Sequence, residues 1–206
     1  MERPPFLFWL DIALKVSLLG LLVFAVVRPD LPQFEGKAFT ARALVYPWST
    51  VLVPLVWWLV GRRRDRPVDY PYALDVLLVL PFLTDAAGNA ADLYDTISWW
   101  DDASHFVNWG LLTAACGQFV LRLPVGRLTT AALCIGFGAV TAILWEFAEY
   151  ATFIRDSPEL ETAYTDTLGD MALGLSGSIV AALLTATILW PAASRPTFGP
   201  GARPTG

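Results

Sequence analysis

The chain has 206 residues, of which 55% are hydrophobic and 13% aromatic, and its mean hydropathy is +0.52. This composition excludes an ordinary soluble domain, and the formal net charge of -5 excludes a basic surface for nucleic acid. We therefore expect an all-α polytopic membrane protein that meets membrane lipids and no nucleic acid; the sequence does not indicate any protein partner.

Six apolar windows are long enough to cross a membrane, since a helix needs about 20 residues to span a hydrocarbon layer of about 30 Å. We expect about six transmembrane helices in one bundle that forms a single domain over residues 1–190. Residues 191–206, rich in proline and glycine, are predicted to be a disordered cytoplasmic tail. The six windows are 6–27, 42–60, 72–93, 102–122, 130–153 and 167–190.

The first window carries two charges of opposite sign. Asp11 and Lys15 are four residues apart, so one helix face presents both, and they are expected to form an ion pair that packs inside the bundle. The apolar run is too long for the core of a signal peptide, which predicts a retained first helix.

Basic residues set the predicted orientation. With both termini in the cytoplasm, nine arginines face the cytoplasm and four basic residues face outward, as the positive-inside rule requires. The cytoplasmic set is Arg3, Arg62, Arg63, Arg64, Arg66, Arg122, Arg127, Arg195 and Arg203, and the outer set is Arg28, Lys37, Arg42 and Arg155.

Four windows carry acidic, amide or histidine side chains near the end that this orientation turns outward. Ionisable groups in spanning helices are costly when they face lipid, so they usually line an interior site. Helical spacing places the members of each set on one helix face. The sets are Asp85, Asn89 and Asp92; Asp102 and His105; Glu146 and Glu149; and Asp166 and Asp170.

Helix capping explains part of this pattern. Asp101, Asp102 and Asp166 lie where helices begin at the outer face, so they suit the positive end of the helix dipole. The acids at 85, 92, 146 and 149 lie at helix C-termini, where the dipole disfavours them. They need a proton or a cation, and Arg155 is the only basic residue close in sequence to those ends.

The predicted cation is a divalent metal, because carboxylates with at most one imidazole favour Mg, Mn, Ca or Fe. His105, the single histidine, is the predicted proton carrier together with Asp102. Asn89, Asp92 and Asp101 are predicted supporting groups. The predicted metal ligands are Glu146, Glu149, Asp166, Asp170 and Asp85.

Small residues continue two of these stripes toward the cytoplasm, and such stripes let membrane helices approach closely. A tightly packed floor is therefore expected beneath the acidic groups. The two sets are Gly174, Gly177 and Ala181, and Ala142, Ala139 and Gly138.

Four motifs resemble those of the YjdF-like bacterial membrane proteins and, more distantly, of the VanZ-like proteins. They are Pro-Phe-Leu-Thr-Asp-Ala-Ala-Gly-Asn at 81–89, Trp-Asp-Asp-Ala-Ser-His-Phe at 100–106, Trp-Glu-Phe-Ala-Glu at 145–149 and Asp-Thr-Leu-Gly-Asp at 166–170. The resemblance covers about residues 70–185 and implies a multi-helix protein of the bacterial cell membrane without implying a reaction. Glu149 departs from the VanZ-like pattern, which tends to show glutamine there, and the antibiotic resistance linked to those relatives is not carried over.

Three functions remain open on the sequence alone. The first is an enzyme that acts on a lipid or lipid-linked headgroup at the outer leaflet, and the second is a proton or cation transporter. The third is a non-catalytic scaffold whose polar cluster fixes helix packing. One histidine is too few for phosphatidic-acid-type phosphatases and for histidine-rich desaturases.

Overall fold

The computed structural model describes residues 5–63 and 69–190, and these residues form helices joined by short turns, without a β-strand. Short π-helical turns at Tyr150–Ile154 and Thr185–Leu189 extend two of the helices, and a 3-10 turn spans Pro158–Glu161. The α-helices are α1 (Phe6–Val27), α2 (Phe39–Val45), α3 (Pro47–Gly61), α4 (Tyr72–Ala90), α5 (Leu93–Thr96), α6 (Trp100–Val120), α7 (Arg127–Glu149) and α8 (Ala163–Leu184).

Five segments of the described chain are long and apolar enough to cross a membrane, which confirms an all-α polytopic membrane protein. The sixth predicted span coincides with α6, whose 21 residues extend about 31 Å. It is less apolar because its first turns carry two aspartates and His105. The five segments are Phe6–Val27, Phe39–Gly61, Tyr72–Ala90, Arg127–Thr152 and Ala163–Leu189.

The polar helix α6 lies in the middle of the bundle, where α4, α7 and α8 pack around it. Its contact with α8 is close because glycines meet there: Gly110 faces the backbone of Gly177. A methyl group at Gly177 would overlap the backbone carbonyl of Phe106, and one at Gly138 on α7 would overlap Ser178 on α8. The glycines of the predicted small-residue stripes therefore lie at close helix contacts, Gly177 and Gly138 as described and Gly174 against Trp109.

An ion cluster joins α1 to α4 at the end of the bundle where both helices begin. The predicted pair is confirmed, with Lys15 Nζ 3.0 Å from Asp11 Oδ2. Lys15 also pairs with Asp75, which is fully buried and which the sequence reading did not single out, and the Tyr70 hydroxyl donates to the same carboxylate. The cluster shields three ionisable side chains from lipid at once.

Two of the differences from the predicted boundaries affect polar residues of the site. Helix α4 stops at Ala90, before the predicted end at 93, and Asp92 has a left-handed backbone with φ of 61° before α5. Helix α8 starts at Ala163, before the predicted start at 167, and therefore includes Asp166 in its first turn. The predicted tail at 191–206 and the arginines at 3, 64, 66, 195 and 203 lie outside the described residues, and the single-domain boundary stays a prediction.

Candidate functional site

His105 occupies the centre of the site, with carboxylates from three helices around its imidazole. Asp101, one turn earlier on α6, has Oδ1 3.4 Å from His105 Nε2. Asp170 of α8 has Oδ1 3.7 Å from the same nitrogen, and Glu146 of α7 has Oε1 3.7 Å from Nδ1. Glu149 completes the group, which we call the His105 cluster: His105, Asp101, Glu146, Glu149 and Asp170.

The innermost members of the His105 cluster are almost inaccessible to solvent. Glu146 is 3%, Asp170 5% and His105 7% exposed. Among the described residues, no lysine or arginine forms an ion pair with any of the four carboxylates. Several acids are thus gathered inside a membrane protein around one imidazole, which is costly without a bound positive charge.

The two ring nitrogens of His105 face different carboxylates. Ligand atoms of His105, Glu146 and Glu149 lie within 4.8 Å of one another, and so do those of Asp101, His105 and Asp170. One ion cannot bind both nitrogens of an imidazole ring. The two sets of residues therefore lie on opposite sides of the His105 ring and do not form a single metal site. Only the first side contains atoms without a hydrogen-bond partner: His105 Nδ1 and Glu146 Oε1 are both buried and unpartnered.

The other side of the ring is suited to orient it. Asp101 and Asp170 offer acceptor oxygens to Nε2, which favours the tautomer with hydrogen on Nε2 and the lone pair on Nδ1. Histidines that bind metals usually donate their second N–H to a carboxylate in this way. The lone pair then points toward the Glu146 and Glu149 side.

Asp85 lies in a separate cluster, where a cation from the protein already faces it. Arg42 Nε is 2.7 Å from Asp85 Oδ2, and the Tyr46 hydroxyl donates to the same oxygen over 2.5 Å. Asn89, predicted as a supporting group, donates to Asp85 Oδ1 over 3.1 Å, and Tyr94 donates to the same oxygen over 3.3 Å. We call these five residues the Asp85 cluster. Asp85 is thus neutralised by an ion pair; it forms no ion pair with His105 and belongs to neither group of potential metal ligands there, although it lines the same cavity as Asp101 and Glu149.

Asp92 also has a basic partner, outside the spanning segments. Lys37 pairs with it and lies 2.9 Å from Asp95. The hydrogen bond from Lys37 holds the pKa of Asp92 below its usual range. Arg155 instead pairs with its neighbour Asp156 at 2.9 Å. The expectation that only Arg155 could neutralise acids at these helix ends was therefore wrong for Asp85 and Asp92, because α2 and the turn before it lie against the end of α4.

Two other predicted site residues are exposed rather than buried with the innermost carboxylates. Asp102 is exposed, and its neighbour Asp101 is the aspartate of that motif that faces His105. Asp166 is exposed in the first turn of α8, one turn before the buried Asp170. Both residues fit the helix-capping alternative, in which an acid in the first turn meets the positive end of the dipole.

A cavity of about 370 Å³ lies beside His105 between α3, α4, α6 and α7. Glu149 and Asp101 line it, whereas Glu146 and Asp170 do not. Asn108 also lines it, and its side-chain oxygen is buried without a hydrogen-bond partner. The cavity has the size of a small-molecule site and opens the Glu149 side of the His105 cluster to a ligand.

Sequence reasoning missed several residues that shape this region. Arg42 was counted among the outward basic residues, but its position at the outer start of a span could have identified it as a partner for an acid at the same level. Tyr46 and Tyr94 gave no periodic signal, because they lie at a helix junction and in the short α5. Asn108 is separated from His105 by three positions, which places both on one face of α6.

The comparisons with known proteins agree with the membrane fold. A family model described as "Predicted membrane protein (DUF2238)" matches residues 10–190, so the chain belongs to this family. No curated protein and no solved structure matches the chain. The match supports a membrane protein family without supporting the finer YjdF-like or VanZ-like resemblance.

Proposed function

We propose that this member of the DUF2238 membrane-protein family binds a divalent cation beside His105 and acts as a metal-dependent enzyme on the headgroup of a lipid or lipid-linked molecule. We place the site at the extracytoplasmic face of the bacterial cell membrane, with both termini in the cytoplasm. Mg, Mn, Ca or Fe suits the oxygen-rich ligand set.

One observation carries the proposal: a buried, unpartnered imidazole nitrogen lies 3.7 Å from a buried, unpartnered carboxylate oxygen. Buried polar atoms in folded proteins nearly always have a partner, and an orphaned one needs an explanation. A cation between His105 Nδ1, Glu146 and Glu149 would satisfy both atoms. Asp101 and Asp170 would then hold the ring, rather than bind the ion themselves.

The access to this site supports catalysis rather than a purely structural ion. Glu149 lines the cavity, so a ligand in the cavity would reach the ion from one side. Structural metal sites are closed by protein ligands, whereas catalytic sites keep a position open. A bound divalent ion would polarise a headgroup oxygen, and Asp101, which lines the cavity and would not bind the ion, would accept or donate the proton.

Metal content tests the proposal. Protein purified in mild detergent should contain about one divalent ion per chain by elemental analysis, and a chelator-treated sample should rebind Mn²⁺ with loss of the free-ion electron paramagnetic resonance signal. Glu146→Gln should abolish this binding because it removes a ligand charge. Asp170→Asn should weaken it by about 10- to 100-fold, the usual cost of losing a group that orients a metal-binding histidine.

Glu161→Gln is the matched control, since Glu161 is exposed in the turn before α8. It should bind Mn²⁺ like the unaltered protein. If the unaltered protein neither contains nor binds a divalent ion while it remains folded, the metal-dependent function is excluded, and a packing role for the cluster becomes the better explanation.

A further inference from the structure

The cavity beside His105 changes from polar to apolar along α4, α6 and α7, the three helices that contribute most of its lining. On α6 the lining runs from Asp101 to Leu112, and on α7 it runs from Glu149 back to Phe137. At 1.5 Å per residue these stripes extend about 16–18 Å along the helix axes. The cavity is thus an elongated chamber with acids at one end and aliphatic or aromatic side chains at the other.

The polar end of the chamber has an unbalanced negative charge. Asp85, Asp101 and Glu149 line it, and among the described residues no lysine or arginine does. Asp85 is neutralised by Arg42, whereas among the described residues Asp101 and Glu149 have no lysine or arginine partner, and the basic residue beside Asp101 is His105. A divalent ion would offset two of the four carboxylates of the His105 cluster, which leaves an excess that favours a further positive charge.

Aromatic rings line the chamber together with Asp85 and Glu149. The Tyr46 ring centroid is 5.0 Å from that of Phe82 and 6.5 Å from that of Trp145. All three side chains line the cavity, and Trp145 is one helical turn from Glu149. Electron-rich ring faces combined with carboxylates are the surroundings that proteins use to bind ammonium groups.

The apolar end reaches the side of the bundle between α3 and α7. Leu52 of α3 and Phe137 of α7 line the chamber and are both exposed. Helix α3 packs mainly on α4, whereas α7 packs on α6 and α8, so the two helices flank the chamber without a close mutual contact. In a membrane this side faces lipid, and a molecule with an alkyl chain can enter from there.

We infer that the chamber binds a lipid with an amine-bearing headgroup, with one alkyl chain between α3 and α7 and the ammonium group at the aromatic and acidic end. That this lipid is the substrate rests on the proposed function. That the lipid binds depends only on the shape, the aromatic rings and the charge of the chamber.

Photolabelling in lipid nanodiscs tests the binding. Two probes share a twelve-carbon chain with a diazirine near its end, and one carries a trimethylammonium headgroup and the other a sulfate. The ammonium probe should label peptides containing Leu112 and Phe137 at least about tenfold more than the sulfate probe, because only its charge complements the acids. Unlabelled dodecyltrimethylammonium should compete for this labelling.

Substitutions at neighbouring positions of α7 locate the probe. Thr141 lines the chamber, so Thr141→Trp should fill it and abolish the labelling. Val140→Trp adds the same ring to the adjacent, exposed position and should leave the labelling unchanged. Glu149→Gln should reduce the preference for the ammonium probe without removing the apolar chamber.

The outcomes separate this inference from the metal site. Glu146 does not line the chamber, so Glu146→Gln should lose Mn²⁺ and keep the labelling. Labelling without any metal in the unaltered protein would overturn the proposed enzyme and leave the lipid site standing. Equal labelling by both probes, or labelling that dodecyltrimethylammonium does not compete, would overturn the lipid inference whatever the metal content.

Discussion

The Asp85 cluster and the His105 cluster occupy the same end of the bundle, yet they are neutralised in different ways. Asp85 meets Arg42 at 2.7 Å and accepts further hydrogen bonds from two tyrosines and Asn89. The carboxylates around His105 have no lysine or arginine partner among the described residues, and two buried atoms there lack any partner. Acids of similar appearance in the sequence thus divide into one set whose charge Arg42 neutralises and one set to which the described residues supply no lysine or arginine.

The largest expected effect comes from removing the cation of the satisfied set. Arg42→Leu leaves the carboxylate of Asp85 buried and unpaired, which should lower the free energy of unfolding by about 3–5 kcal/mol. Denaturant unfolding in detergent measures the loss. The double variant Arg42→Leu with Asp85→Leu should recover most of it, since an apolar pair can replace a buried ion pair at little cost.

Arg28→Leu is the control for that experiment, because Arg28 pairs with Asp30 at an exposed position. An exposed pair of this kind contributes at most about 1 kcal/mol. If Arg42→Leu were no more harmful than Arg28→Leu, the contrast between the two clusters would lose its basis.

An intermediate effect is expected where two helices carry members of the His105 cluster. Gly177→Ala would force a methyl group against the backbone carbonyl of Phe106, so α6 and α8 must separate. We expect a loss of stability of about 1–3 kcal/mol. Mn²⁺ affinity should fall as well, because the shift moves Asp170 relative to His105, although no polar atom is altered.

Gly169→Ala on the same helix provides the comparison, since nothing lies within 4 Å of a methyl group there. It should be neutral or stabilise by about 0.5–1 kcal/mol through helix propensity. A Gly177→Ala protein with unchanged stability and Mn²⁺ affinity would contradict the close packing of α6 on α8.

The smallest effect is expected at the surface pair of Asp92 with Lys37. The hydrogen bond from Lys37 lowers the pKa of Asp92, so the folded state binds this proton less readily than the unfolded chain. The stabilisation is therefore present above the unfolded pKa of about 4 and is lost as the pH falls through the lower folded pKa.

Asp92→Asn should slightly flatten the dependence of stability on pH below about pH 4, and salt should weaken the difference from the unaltered protein. Thermal unfolding across pH measures both. Asp156→Asn, which alters another exposed ion pair, serves as the control. A larger loss at Asp92 than at Arg42 would reverse the expected ranking of surface and buried pairs.

Much of the fold could be predicted because apolar windows and small-residue stripes are direct consequences of the membrane as solvent. The pairing of acids with cations on different helices could not be predicted. Helical spacing identifies neighbours within one helix, so it placed Asp11 near Lys15 and Asp102 near His105. It cannot identify partners on different helices, which is why Arg42 was not assigned to Asp85.

Local ambiguity explains the remaining differences in the site. Asp101 and Asp102 are adjacent, and both lie within one turn of His105 on α6, at spacings of four and three residues. Spacing alone therefore does not decide which of the two carboxylates approaches the imidazole. Asp166 and Asp170 share a face, but only Asp170 lies deep enough to be buried, because α8 begins four residues before the predicted window.

The ion cluster of Asp11, Lys15 and Asp75 lies at the opposite end of the bundle, and it affects how the chain enters the bilayer during synthesis. Helix α1 carries both Asp11 and Lys15, so it can be inserted as an internally neutral segment before the rest of the protein exists. Asp75 has no basic residue on its own helix and reaches a counter-ion only when α4 meets Lys15. Helix α1 therefore supplies the counter-ion for α4 when the two helices pack. A chain that lacked α1 would place the Asp75 carboxylate in the hydrocarbon without the Lys15 ammonium.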